Sequence, residues 1–267
     1  MTYTSKSIGL RLNSLKNFGD LEFSKRVFEV INKYGVNLLP NLIYEDSSHK
    51  LHYNPKDVSN AIELWMNEKK NMQFNNYAEG NIVMEGKYVN YLINWRKSNR
   101  AVFNFLTLSV DMEYFKAQEE FSNFICLCKE LTTLIEPVFG EIVNESFLEH
   151  NMPINLKCRL PEIGWMVIFG EPYIKMFAKE KLLKTPCCKV ESVGNSITLQ
   201  ISKNIFDPIP STDRDLIKQY LGADAFVESG KPVRAYKTGM TPDFDFSEVL
   251  FDKCKPIKEY GIRKMAE

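Results

Sequence analysis

Apolar residues recur every three or four positions in several segments of the chain, which is the spacing of a helix that buries one face. The longest such segment is 112–136, with Asp111 in the position of an N-cap and Pro137 just past its end. The same spacing predicts shorter helices that are capped by Asp20, opened by Asn54-Pro55, opened by Pro172 and capped by Thr212.

Extended segments separate these helices. Residues 88–96 and 101–110 are predicted strands joined by a polar hairpin turn at 97–100. A second hairpin is predicted across Gly194-Asn195, and single strands are predicted at 6–12, 140–144 and 164–169. Because strands joined by tight turns pair antiparallel, the sequence predicts a sheet rich in antiparallel pairs.

The order of these elements predicts the fold class. It favours an α+β protein with an antiparallel-rich open sheet, helices packed mainly on one face, and two ferredoxin-like halves as one arrangement that fits. We expect a single domain over 1–267, with subdomains 1–80 and 81–222 and a C-terminal tail, 223–267, wrapped around the body. No glycine fingerprint follows the first strand, so a dinucleotide-binding fold is not favoured.

Composition and net charge limit the classes of partner that the protein is expected to bind. The 267 residues are 44% hydrophobic, which is enough for a sizeable core, and 34 basic residues balance 34 acidic ones. A net charge of zero gives no field that attracts nucleic acid, so nucleic acid is not a favoured partner. No apolar stretch approaches the roughly 20 residues of a membrane span, and the N-terminus has no signal-peptide pattern. We therefore expect a cytoplasmic protein with no membrane association.

Residues that often carry chemistry are scattered. Neither the cysteines nor the histidines have the spacing of a disulfide framework or a zinc site: Cys126, Cys128, Cys158, Cys187, Cys188, Cys254, His49, His52 and His150. The common hydrolase, zinc-protease and phosphate-loop motifs are absent. The triplet Glu149-His150-Asn151 is better explained as a surface hydrogen-bond pair than as a general base. The sequence therefore predicts reduced cysteines, no metal, no cofactor and no catalytic residues.

One segment is a candidate partner-binding site. Asp243, Phe244, Asp245 and Phe246 alternate acids with aromatics between prolines and glycines. Aromatic side chains are common interface anchors, and flanking acids suit a basic partner. The competing interpretation, which is favoured, is a plain strand with Phe inward and Asp outward.

A basic hairpin tip at 95–100 is a second candidate. Its three cations and one tryptophan suit contact with phosphate. A solvated turn explains it better, because no second basic cluster supports a nucleic-acid surface.

Residues 161–208 carry a family resemblance. Trp165 lies on the predicted strand, Gly170-Glu171-Pro172-Tyr173 forms the turn into a helix, and Ile197–Ile201 precedes Asp207-Pro208. This run resembles the bacterial immunity proteins called immunity protein 52, and it is similar in outline to type VI secretion immunity proteins. The hairpin and long helix over 88–146 also suit that layout.

The resemblance implies a non-enzymatic inhibitor that binds a cognate polymorphic toxin and occludes its active site. Inhibitors of nucleases are commonly acidic, so the neutral charge does not favour a nuclease as the target. Two other functions stay open: a phage or mobile-element inhibitor of a bacterial defence enzyme, and an enzyme with a dispersed, motif-free active site. The oligomeric state does not follow from the sequence.

Overall fold

The computed structural model describes residues 6–35, 37–44, 50–66, 77–98, 101–116, 118–147, 155–227 and 241–250. Its strands are β1 Ser7–Ser14, β2 Leu42–Tyr44, β3 Lys50–His52, β4 Tyr77–Glu85, β5 Val89–Ser98, β6 Asn104–Asp111, β7 Phe139–Asn144, β8 Met166–Phe169, β9 Lys189–Val193 and β10 Ser196–Gln200. Its helices are α1 Leu21–Tyr34, α2 Ser59–Trp65, α3 Gln118–Ile135, α4 Glu171–Phe177, α5 Lys179–Leu183 and α6 Ser211–Leu221. Strands and helices in this mixture make an α+β protein, as predicted.

The chain divides into two compact units. The first unit comprises Met1–Gly9 and Glu136–Phe244, and the second unit comprises Leu10–Ile135 and Asp245–Glu267. The single domain with subdomains 1–80 and 81–222 and the tail 223–267 stays a prediction. In the described part of the chain, no helix is both long enough and apolar enough to span a membrane.

The second unit pairs its strands in the order β3-β2-β4-β5-β6. The neighbour of β6 is β1, whose Leu10–Ser14 part belongs to this unit. Neighbouring strands from β3 to β6 pair antiparallel, in the ladders β2–β3, β2–β4, β4–β5 and β5–β6. The antiparallel pairing of β5 with β6 confirms the hairpin predicted from segments 88–96 and 101–110. Its core contains a cluster of aromatic rings: Phe18, Phe23, Phe28, Tyr53 and Trp65. The indole Nε1 of Trp65 donates to the Phe18 carbonyl at 2.9 Å.

The first unit pairs its strands in the order β7-β8-β10-β9. The neighbour of β7 is β1, whose Ser7–Gly9 part belongs to this unit. The β9–β10 hairpin turns at Gly194-Asn195 as predicted, with Gly194 at a φ of 55°. Its core also gathers aromatic rings: Phe139, Phe169, Tyr173, Phe177 and Phe226. Trp165 is 4% exposed and belongs to this core.

Helix starts were predicted with mixed success. Asp20 caps α1 as predicted, because its carboxylate accepts from the Phe23 amide at 2.9 Å. Asn54-Pro55 does not open α2; those residues form a turn, and the helix begins at Ser59. Asp111 caps a short 3-10 turn by accepting from the Glu113 amide at 2.8 Å, and α3 begins only at Gln118. Asn54 and Asp111 each accept from a backbone amide, as an N-cap residue does, but a turn follows each of them instead of the predicted helix.

Candidate functional site

The predicted partner-binding segment begins in the first unit with Asp243 and Phe244. The Asp243 carboxylate is exposed, and it lies near enough to Lys175 to contribute to raising the pKa of that amine, behind the larger effects of Glu171. The Phe244 ring is half-buried, with its centroid 5.8 Å from that of Tyr173. At this position the acid therefore faces solvent and the aromatic ring packs inward.

Asp245 and Phe246, in the second unit, repeat this alternation. Asp245 is exposed and accepts from the Ser247 amide at 2.9 Å, and hydrogen bonds from Ser247 lower the pKa of its carboxyl. Phe246 is half-buried, with its centroid 5.3 Å from that of Phe103. Residues 241–246 form no strand, so the inward and outward alternation holds without the predicted secondary structure. The acids are accessible to a partner, and their role in binding stays a prediction.

The basic hairpin tip is only partly described. Trp95 is 2% exposed and belongs to the core, and the Arg96 amide donates to Asn104 Oδ1 at 2.7 Å. Residues 99–100 lie outside the described residues, as do the triplet 149–151, His49 and Cys254.

The first unit contains a cleft that sequence reasoning did not find. Its volume is about 500 Å³. It is lined by two serines, three apolar residues and four charged residues: Ser146, Phe147, Glu162, Pro208, Ile209, Ser211, Arg214, Asp215 and Lys218. A cleft of this size and mixed lining has the dimensions of a small-ligand site.

An ion pair forms one side of this cleft. Lys218 Nζ lies 2.5 Å from Glu162 Oε1 and 2.7 Å from Glu162 Oε2. The Lys218 side chain is 14% exposed and the Glu162 side chain 36% exposed, so the pair is largely shielded from water on the lysine side. Since each charge neutralises the other, this pair leaves little net field for a ligand.

Arg214 forms another side of the cleft, one helical turn before Lys218 on α6. Its Nη2 donates to the Ile209 carbonyl at 3.2 Å, while its Nε is buried and has no hydrogen-bond partner among the described residues. No described carboxylate forms an ion pair with it. The N–H donors of a half-buried guanidinium normally all have acceptors. Arg214 has donors that no described residue uses, and such donors bind anions.

The loop that faces Arg214 is held by polar contacts of its own. Asn144 Nδ2, which is buried, donates to the Ile205 carbonyl at 3.1 Å. Asn204 Nδ2 donates to Asp207 Oδ2 at 2.8 Å, which closes the turn before Pro208. These contacts fix the backbone that presents Pro208 and Ile209 to the cleft.

A second polar cluster lies in the second unit and has a structural explanation. The Tyr44 hydroxyl donates to the Glu85 carboxylate, and this hydrogen bond raises the pKa of Tyr44 to about 12. Lys50 lies 3.5 Å from Glu85 and 4.6 Å from the centroid of the Tyr44 ring. Because the three residues lie on the neighbouring strands β2, β3 and β4, the cluster ties together the edge of the sheet.

The described residues contain no group of three or more His, Cys, Asp or Glu side chains that could hold a metal ion. The five described cysteines, Cys126, Cys128, Cys158, Cys187 and Cys188, are free thiols. Burial raises the pKa of the Cys128 thiol well above its usual value, which makes that thiol a poor nucleophile.

The fold has a counterpart among solved structures. No protein-family model matches the chain, and no curated protein is significantly similar to it. The chain is similar to the Pseudomonas aeruginosa T6SS protein PA0821, with a TM-score of 0.58, 12% sequence identity, and coverage of 95% of this chain and 84% of that chain. At this identity, the likeness shows that the two chains share a fold.

Proposed function

We propose that this protein is a bacterial immunity protein that binds a cognate toxin and blocks its active site. The observation that carries the proposal is the fold shared with a T6SS protein over 95% of this chain. That similarity is structural, whereas the resemblance of residues 161–208 to immunity protein 52 is a similarity of sequence. The first concerns a T6SS protein, and the second concerns a family that is similar in outline to type VI secretion immunity proteins.

The proposed mode of action is stoichiometric binding without catalysis. An inhibitor that must hold a lethal enzyme at low copy number needs a nanomolar dissociation constant, or about −12 kcal/mol. Such affinity is compatible with a standard-size protein interface and requires no cofactor. The free cysteines suit a reducing compartment, so we place its action in the cytoplasm.

Co-expression with a candidate toxin encoded by a neighbouring gene tests the proposal. Cells that make the toxin alone should stop growing, and cells that make both proteins should grow once the inhibitor matches the toxin in copy number. Protection at far below one copy per toxin would indicate catalysis and support the enzyme alternative. Failure to form a complex with the purified toxin would contradict the proposal.

The exposed acids of the 243–246 segment give a second test. Replacing Asp243 and Asp245 together by lysine should slow association with a basic toxin by about tenfold or more, because the acids would no longer attract it during encounter. The rate should also become less sensitive to salt. Stopped-flow association at two ionic strengths measures both effects.

A matched control separates this effect from a change in total charge. Glu29→Lys with Glu180→Lys alters the net charge by the same amount at exposed positions in α1 and α5. Equal association rates for the two double variants would remove Asp243 and Asp245 from the interface.

A further inference from the structure

The cleft beside α6 contains one cation that has no ion pair among the described residues. Glu162 and Lys218 neutralise each other, whereas the guanidinium of Arg214 donates a hydrogen bond only to the Ile209 carbonyl among the described residues. A guanidinium has five N–H donors, so most of the donors of Arg214 are not used by the described residues. We propose that this cleft binds a carboxylate, with the Arg214 guanidinium as its counter-charge.

The lining favours a carboxylate over a phosphate. Asp215 also lines the cleft and has no ion pair among the described residues, so it would repel a dianionic group more strongly than a group with one negative charge. A carboxylate carries one charge, which matches the one guanidinium that has no acid paired to it. The planar fork of an arginine also fits the two oxygens of a carboxylate.

The rest of the lining indicates what the carboxylate is attached to. Phe147, Pro208 and Ile209 supply an apolar wall, and the hydroxyls of Ser146 and Ser211 lie at the exposed rim. A ligand with an apolar stem behind its carboxylate would cover the wall and leave the rim hydroxyls to water or to a polar substituent. Two sources offer this chemistry: a small carboxylic acid, and an acidic side chain of a protein partner.

An NMR titration of the full chain with 3-phenylpropionate tests the site. A ligand this small is expected to bind with a dissociation constant on the order of millimolar. Its saturable shifts should appear at amides of the cleft, around residues 146–147, 162 and 208–218. The amide analogue 3-phenylpropanamide has the same stem without the charge and should not saturate. Equal binding of the amide, or tighter binding of phenyl phosphate, would each overturn the proposal. Absence of saturable shifts both with this acid and with a peptide that carries a glutamate side chain would overturn it as well.

Variants locate the binding on Arg214. Arg214→Gln should weaken binding of the acid by about tenfold or more, because it removes a charge-assisted hydrogen bond. Lys203→Gln removes an exposed cation on the nearby loop and should leave binding unchanged. Unchanged affinity in Arg214→Gln would overturn the assignment. If Arg214→Gln loses its native spectrum, Ser146→Trp is the deciding variant. A large side chain at the exposed rim should exclude the ligand. Unchanged binding by Ser146→Trp would overturn the assignment of the ligand to the cleft.

Two peptides separate the sources. Acetyl-Phe-Glu-Ala-amide offers a side-chain carboxylate without a free terminus, and its Gln counterpart offers none. Cleft shifts with the Glu peptide alone would identify a protein side chain as a suitable ligand, whereas shifts with 3-phenylpropionate alone would identify a small acid. Neither titration uses the toxin, so the proposal of carboxylate binding and the proposal of toxin inhibition are tested independently.

Discussion

Replacing Gly170 by alanine should destabilise the first unit by about 3 kcal/mol. A Cβ at this position would lie 1.8 Å from the Pro137 carbonyl oxygen and 2.9 Å from Val138 Cα. Both obstacles are backbone atoms, so no side-chain rotation can relieve the overlap. The Gly170 amide also donates to the Val138 carbonyl at 2.9 Å, and moving the two segments apart would lengthen that bond. The loss is a large share of the roughly 5–15 kcal/mol that stabilises a domain.

Urea unfolding followed by circular dichroism measures this loss as a lower midpoint. Glu171→Ala is the matched control, since it changes the next residue, whose exposed side chain pairs with Lys175 at 2.7 Å on the helix surface. That control should unfold close to the wild type because exposed pairs contribute little. A Gly170→Ala midpoint equal to that of the control would show that the backbone accommodates the methyl group.

The same glycine helps to explain why the residue pattern over 161–208 predicted the local structure well. Gly170 allows β8 and the start of α4 to approach the segment before β7, and Pro172 occupies the first turn of α4. Tyr173 is fully buried and donates its hydroxyl hydrogen to the Leu156 carbonyl at 3.2 Å. These residues build the fold, which is why they predict architecture more directly than they predict a binding partner.

Helix starts show where local patterns mislead. Asn54-Pro55 has the chemistry of a helix start, but the same pair is common in turns. In the structure, Asp57 accepts from the Ser59 amide at 3.1 Å. Hydrogen bonds from the Ser59 side chain and amide lower the pKa of the Asp57 carboxyl, and the helix forms after that turn. Whether a cap leads into a helix or a turn depends on which apolar residues the rest of the fold can bury, and Ala61, Leu64 and Trp65 are the residues that α2 buries.

The cleft could not be read from local patterns. Its lining comes from three separated segments, and its ion pair joins residues 56 positions apart in the chain. The one local sign is the spacing of Arg214 and Lys218, which places both cations on one face of α6. The 243–246 segment is the opposite case. Alternation alone indicated which side chains point outward, but the rings that cover Phe244 and Phe246 lie far away in sequence.

Replacing Trp165 by alanine should cost about 3–5 kcal/mol, because it empties a large volume in the first unit. The indole is 4% exposed, and its Nε1 donates to the Ser202 carbonyl at 2.9 Å. The thermal midpoint should therefore fall sharply. Toxin binding, measured on the fraction that remains folded, should be unchanged. An unchanged midpoint with lost binding would make Trp165 a surface anchor and contradict its place in the core.

A pair of milder variants separates the hydrogen bond of Trp165 from its volume. Trp95 is 2% exposed, but its Nε1 is buried without a partner among the described residues. Trp165→Phe and Trp95→Phe remove similar volumes, yet only the first breaks a hydrogen bond and leaves the Ser202 carbonyl without that donor. We expect Trp165→Phe to lose about 1 kcal/mol more than Trp95→Phe. Equal losses would mean that the Ser202 bond contributes nothing net and that packing alone makes Trp165 important.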